Sequence, residues 1–161
     1  MAQLDDEDVS LERQVYKGCE YRIYSALNKQ SGKIVSMKVY EGSRAKERCL
    51  ESAKFMIERR VMHPNIPYMI AVSALKSEMS FLIFDGEYGG TVDRMLSQAL
   101  KKNLKQSLIM GLQTVAGLSS GLEYLQDLKY PFASVGLNHF VVLSCKGKGP
   151  GIFPPTLPTD F

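Results

Sequence analysis

The chain predicts an α+β fold, strands first and helix later, and three stretches carry that prediction. Tyr21 to Tyr40 alternates apolar and polar side chains on both sides of a Ser31-Gly32 turn, the period of two that a hairpin imposes. Arg44 to Arg60 repeats Leu50, Ala53 and Ile57 at helical spacing, continued by Val61, against a back where Lys46, Arg48, Lys54, Arg59 and Arg60 mix with Glu47, Glu51 and Glu58. Leu104 to Leu125 repeats Leu104, Leu108, Leu112, Val115, Leu122 and Leu125 in the same way.

Local chemistry accounts for each element in turn. The chain opens on an acidic run, Asp5-Asp6-Glu7-Asp8, within an N-terminal arm expected over residues 1–14. The hairpin's second strand carries one lysine, Lys38, in otherwise apolar company; its tip either snorkels to water or meets an anion. The first helix should lay its apolar stripe on the sheet and turn its charged back to solvent. In the longer helix, Gly111, Gly117 and Gly121 each cost about 1 kcal/mol relative to alanine, which implies close backbone packing. Gly117 and Gly121 also spell G-x-x-x-G, but Gln113, Thr114, Ser119, Ser120 and Glu123 argue against a membrane dimer face.

Composition narrows the class. A chain of 161 residues, 45% apolar and 23% charged, suits one small domain that buries a core. Its net charge is +3, and the mixed signs on the first helix describe a solvated face, so no nucleic-acid partner is expected. The acidic start lacks the basic and apolar regions of a secretory signal, and no apolar run is long enough to span a bilayer. A cytoplasmic or nuclear protein without a membrane partner is the expectation. Cys19, Cys49 and Cys145 are odd in number and far apart, which predicts free thiols, and His63 and His139 stand outside any ligand cluster.

Ile34-Val-Ser-Met-Lys38 resembles the V-A-I-K strand of protein kinases, and the hairpin around it is similar to that family's second and third strands. The likeness continues in order. Arg44 to Arg60 resembles the regulatory αC helix, and His63-Pro64-Asn65-Ile66 the loop that follows it. Tyr68 to Leu75 and Phe81 to Phe84 resemble the fourth and fifth strands, Asp85-Gly86-Glu87-Tyr88-Gly89-Gly90 the hinge, and Leu104 to Leu125 the first long helix of the C-lobe. The resemblance implies an antiparallel five-stranded N-lobe sheet plus αC over residues 15–88, then a partial, mostly helical C-lobe over 89–143. A Gly/Pro-rich tail fills 144–161, and because the likeness stops after Leu143, the chain reads as a truncated form of the fold.

The same resemblance implies site residues, and most of them are altered. Lys38 takes the place of the lysine that pairs with ATP phosphates; Asp85 and Glu87 lie in the hinge, and Phe84 guards the inner pocket. Of the three phosphate-loop glycines only Gly18 is present, with Tyr16 and Tyr21 at the other two positions. Counting back from His63 puts Lys54 where the αC glutamate belongs, and Glu51, one turn earlier, is its substitute. In Phe132 to His139, which matches the catalytic loop, Ser134 replaces the base and His139 a metal ligand, with Asn138 as the weak metal candidate. Ser144 to Gly151 is expected to be a flexible basic stretch where the magnesium strand should follow, and Asp160-Phe161 comes too late to supply it.

Losing one preorganised group costs about 10²–10³ in rate, so efficient phosphoryl transfer is not expected. The expectation is a binding or regulatory module with at most weak ATP binding and no Mg²⁺ site. Its alternatives are a weakly active kinase using Lys38, Glu51 and Asn138, and a truncated product without independent function. Two partner surfaces are expected: the helix from Leu104 to Leu125, for self-association or a protein partner, and Pro154-Pro-Thr-Leu-Pro158, whose P-x-x-P spacing suits an aromatic groove. Phe153 and Phe161 suggest instead that this tail folds back on the chain.

Overall fold

A computed structural model describes residues 1–157. The chain runs β1 (Ala2–Leu4), β2 (Val9–Lys17), β3 (Tyr21–Asn28), β4 (Lys33–Tyr40), α1 (Ala45–Glu58), β5 (Met69–Ser73), β6 (Ser80–Phe84), β7 (Tyr88–Thr91), α2 (Val92–Lys102), α3 (Leu104–Asp127), β8 (Val141–Cys145) and β9 (Gly151–Phe153). The β3–β4 hairpin pairs Tyr21 with Tyr40 and Asn28 with Lys33. Its turn closes as the residues dictate: Gly32 takes φ 67°, and the Asn28 side chain accepts from the Gln30 and Ser31 amides at 3.0 and 3.3 Å.

The main sheet has six strands, ordered β1-β5-β6-β4-β3-β2, and is mixed, because β1 runs parallel to β5. This corrects the expected five-stranded antiparallel sheet and the expected acidic arm. Leu4 is buried in the sheet's outer core, and the acidic run is held by its neighbours: Lys76 meets Asp5 at 2.8 Å, the Glu78 amide donates to Asp6 at 2.8 Å, and Gln30 donates to Asp8 at 3.0 Å. Those partners lie over twenty residues away in sequence, so the acidic run by itself reads as a solvated tail.

Alternation along β4 divides two cores. Val35, Met37 and Val39 join Leu4, Val9, Ala26, Ala71, Phe81 and Ile83 on the outer face. Ser36, Lys38 and Tyr40 take the other face, toward α1 and the second half of the chain. There Tyr21, Ile23, Phe84, Leu125, Tyr130, Leu143 and Phe153 form the larger core.

Both helices bury only part of the stripe their apolar residues predict: Ala53, Val61 and Leu125 are buried, but the rest of the contact face lies to one side. In α1 the buried set is Cys49, Ser52, Ala53, Phe55 and Met56, while Leu50 and Ile57 are 44% and 49% exposed. Small residues at i, i+3 and i+4 let the helix axis approach the sheet, and Phe55 and Met56 fill the space beside it. In α3 the buried residues are Ser107, Gly117, Gly121 and Leu125; Leu108, Leu112 and Val115 are exposed. Close backbone approach decides that face, as the glycines imply.

Each of these helices ends on a left-handed residue, Arg60 after α1 at φ 49° and Lys129 after α3 at φ 63°. The amide of Val61 returns to Met56 and that of Tyr130 to Leu125, the hydrogen bonds of a Schellman ending. A side chain there carries strain that glycine lacks. Lys129→Gly should therefore raise stability by ~0.5–1 kcal/mol, read as a higher urea midpoint with an unchanged slope.

The second half is mostly helical up to residue 127, as expected, but the stretch after it is more ordered than expected. β7, β8 and β9 form a separate antiparallel sheet, so Ser144, Cys145 and Gly151, expected in a flexible stretch, are strand residues. Among the described residues no helix is long and apolar enough to cross a membrane.

Candidate functional site

Lys38 is the centre of the inner face. Far from snorkelling, it is 3% exposed. Its register neighbours are Ile23 on β3 and Leu82 on β6, so the sheet offers it no anion. Its ammonium donates instead to the Pro154 carbonyl at 2.8 Å and lies over the rings of Tyr21 and Tyr40, at 4.2 and 5.1 Å. Burial without a carboxylate lowers its pKa from 10.5 to about 7.

Lys54 and Glu51, the two helix residues weighed as partners of Lys38, are not its partners. Lys54 is exposed on the outer side of α1 and pairs with Glu58 at 3.9 Å. Glu51 is half-buried, and one of its carboxylate oxygens is buried without a hydrogen bond. The α1 residues that line the space beside Lys38 are Ser52, Phe55 and Met56, none of which spacing from His63 finds. The Ser52 hydroxyl neighbours that of Tyr40, yet neither makes a well-formed hydrogen bond. Burial raises the Tyr40 phenol far above its usual range.

The tail, expected as a docking segment or a cover, fills this cleft. From β9 it continues as Phe153-Pro154-Pro155-Thr156-Leu157, with Phe153, Pro155 and Leu157 buried and Pro154 and Thr156 half-exposed. Phe153 packs edge-on against Phe84 and Tyr88, with ring centres 5.3 and 5.0 Å apart. Tyr130 donates to the Pro155 carbonyl at 3.4 Å, and the Thr156 hydroxyl to Glu20 at 3.0 Å. The space left between Lys38, Ser52, Tyr130 and Leu157 is about 20 Å³, room for one water. Pro158, which completes the P-x-x-P spacing, and Asp160-Phe161 lie outside the described residues.

Gly18 closes the β2–β3 turn, its amide donating to the Tyr21 carbonyl at 2.9 Å. A Cβ there would meet that carbonyl at 3.2 Å and the Tyr16 ring at 3.3 Å. Tyr21 is buried, and its ring centre lies 4.2 Å from the Lys38 ammonium. Glu20, in the same turn, also pairs with Arg48 of α1 at 2.7 Å.

The backbone from Gly86 to Tyr88 is committed internally. Ser36 donates to the Gly86 carbonyl at 2.9 Å and accepts from the Tyr88 amide at 3.2 Å. The Glu87 carbonyl accepts from the Lys146 amide at 3.1 Å. The side chains of Asp85 and Glu87 pair with Lys148 and Lys146, at 3.5 and 3.8 Å, on the β8–β9 turn. Ser134, Asn138 and His139 are all exposed on the connection before β8, away from Lys38. Among the described residues no three His, Cys, Asp or Glu side chains are grouped to hold a metal.

His63-Pro64-Asn65-Ile66 ties the two halves together. His63 stacks on Tyr124 with ring centres 5.0 Å apart, bonds to Ser120 through Nε2 at 3.1 Å, and accepts the Asn65 amide on Nδ1. Asn65 donates to the Pro150 carbonyl at 3.1 Å, and its own carbonyl accepts from the Ile152 amide at 2.7 Å. The loop thereby positions β9, and β9 aims the tail at Lys38. An open cavity of about 700 Å³ lies nearby, between α3 and the β8–β9 turn, but it does not reach Lys38.

No family model fits the chain, and no curated protein is significantly similar to it.

Proposed function

We propose that this chain is a degenerate kinase-like domain that works as a binding or regulatory module, with at most weak ATP binding and no efficient phosphoryl transfer. The observation that carries this reading is the state of Lys38. Its one hydrogen bond goes to a carbonyl of its own chain, no carboxylate orients it, and the 20 Å³ beside it admits no nucleotide. The order of elements supports the kinase-like part: a hairpin delivering the lysine, a helix packed behind it, two more strands, a hinge and a long helix. The internal bonds of Gly86, Glu87 and Tyr88 support the weak-binding part, since adenine would have to break them.

The exposed face of α3 extends the proposal to a protein contact. Leu108, Leu112 and Val115 are 59%, 72% and 65% exposed on successive turns. A row of that kind suits self-association or a partner more than water.

Calorimetry with ATP, with and without Mg²⁺, tests the central claim. The expected result is no binding at sub-millimolar ATP, about −4 kcal/mol or weaker, in either condition. Micromolar affinity that disappears on adding a chelator would sink the reading and favour a working kinase.

A further inference from the structure

We infer that the groove over Lys38 is a peptide-binding site for an extended Pro-Pro-Thr-Leu segment, held in cis by the chain's own residues 154–157 and taken in trans by a partner protein's segment of that chemistry. This rests on the binding-module reading and names its partner.

The chemistry of the groove matches the segment position by position. A proline has no amide hydrogen, so Pro154 and Pro155 bring two carbonyl acceptors and no donors. The groove meets them with donors: the Lys38 side-chain nitrogen on Pro154 at 2.8 Å, and the Tyr130 hydroxyl on Pro155 at 3.4 Å. At the next residue the polarity reverses on both sides, with the Thr156 hydroxyl donating to the Glu20 carboxylate at 3.0 Å. A segment with ordinary amides in place of the prolines would bring donors for which these contacts provide no acceptor.

The apolar contacts follow the same alternation. Pro155 and Leu157 are buried, and both line the space bounded by Phe55, Met56 and Leu82. In an extended segment alternate side chains share one face, so one face is read by shape and the backbone by hydrogen bonds. Tyr21 and Tyr40 complete an aromatic wall around the ammonium. A groove of this kind competes directly with nucleotide for Lys38.

A tethered segment acts at an effective concentration in the millimolar range, so the cis tail masks the groove. The test uses a fluorescent peptide, Phe-Pro-Pro-Thr-Leu, on the wild-type chain and on Leu157→Asp, which weakens the cis tail. Polarisation should show the peptide binding the variant ~10- to 100-fold more tightly than the wild type. Adding Lys38→Met to the variant should weaken the peptide ~10-fold or more. Leu157→Ala takes the place of Leu157→Asp if the latter fails to melt cooperatively.

No binding to a folded tail variant, equal binding to variant and wild type, or binding indifferent to Lys38→Met would each overturn the inference. Wild-type dimers that the peptide dissolves would make the occupant a second copy and overturn the assignment to a separate partner. ATP titrations of the same variants read the parent claim separately. Micromolar, magnesium-dependent binding would overturn the module reading, while peptide binding would still stand on its own data.

Discussion

Replacing Lys38 by methionine should stabilise the fold. The buried amine titrates at about 7 instead of 10.5, and at about 1.4 kcal/mol per pKa unit the charged form costs ~5 kcal/mol below pH 7. Against this stand the hydrogen bond to Pro154 and two ring contacts, and the variant leaves that carbonyl without its donor, a loss of ~1–3 kcal/mol. The expected net gain is ~2–3 kcal/mol, or ~5–10 °C in melting temperature.

The pH dependence has a definite sign. Between about pH 7 and 10.5 the unfolded chain holds a proton on this lysine that the folded chain has released. Wild-type stability therefore rises with pH across that window, and the methionine variant should lose this contribution. Melting curves of both proteins from pH 6 to pH 10 check it (~ four pH units across the predicted window). A variant that melts no higher than wild type at pH 6 would show that the ammonium is held by more than the groups described.

The second large effect is expected at Gly117. A Cβ there would lie 2.6 Å from the Asn65 side-chain nitrogen, which is already bonded to Pro150, and 3.3 Å from the Pro150 ring. Gly117→Val should cost ~3 kcal/mol, because it overpacks the contact and breaks that hydrogen bond. The damage should spread to the cleft, since Asn65 positions β9 and β9 carries the tail. Gly111 is the internal control: nothing lies within 4 Å of a Cβ there. Gly111→Ala should raise stability by ~1 kcal/mol, the ordinary helix preference. Denaturant unfolding of the two variants separates the cases, and equal effects would mean that α3 is not packed through Gly117.

Much of this was legible in the residues. Period-two alternation places Lys38 on the β4 face opposite Val35, Met37 and Val39, and the Ser31-Gly32 turn sets the hairpin register. The glycines of α3 announce a close contact, and Gly117 and Gly121 make it with Asn65 and Ile152.

The faces of the helices were not legible, for a physical reason. In α1 the predicted stripe through Leu50, Ala53 and Ile57 and the buried set Cys49, Ser52, Ala53 and Met56 share Ala53, while Leu50 and Ile57 stand one residue, about 100° around the axis, from Cys49 and Met56, and local pattern does not choose between them. What chooses is the sheet, where small residues permit close approach. Counting to Lys54 from His63 failed for the same cause.

By itself, the sequence determined the β3–β4 hairpin, the helices α1 and α3 and their order, because each depends on side chains a few residues apart. Only the tertiary structure decided what Lys38 touches. Its partner Pro154 lies 116 residues away, and two intervening steps place it there: the Asn65 loop seats β9, and the prolines then have no amides with which to continue the sheet. A buried ammonium needs an acceptor, and the nearest backbone unable to spend its carbonyls on a strand is the one that provides it.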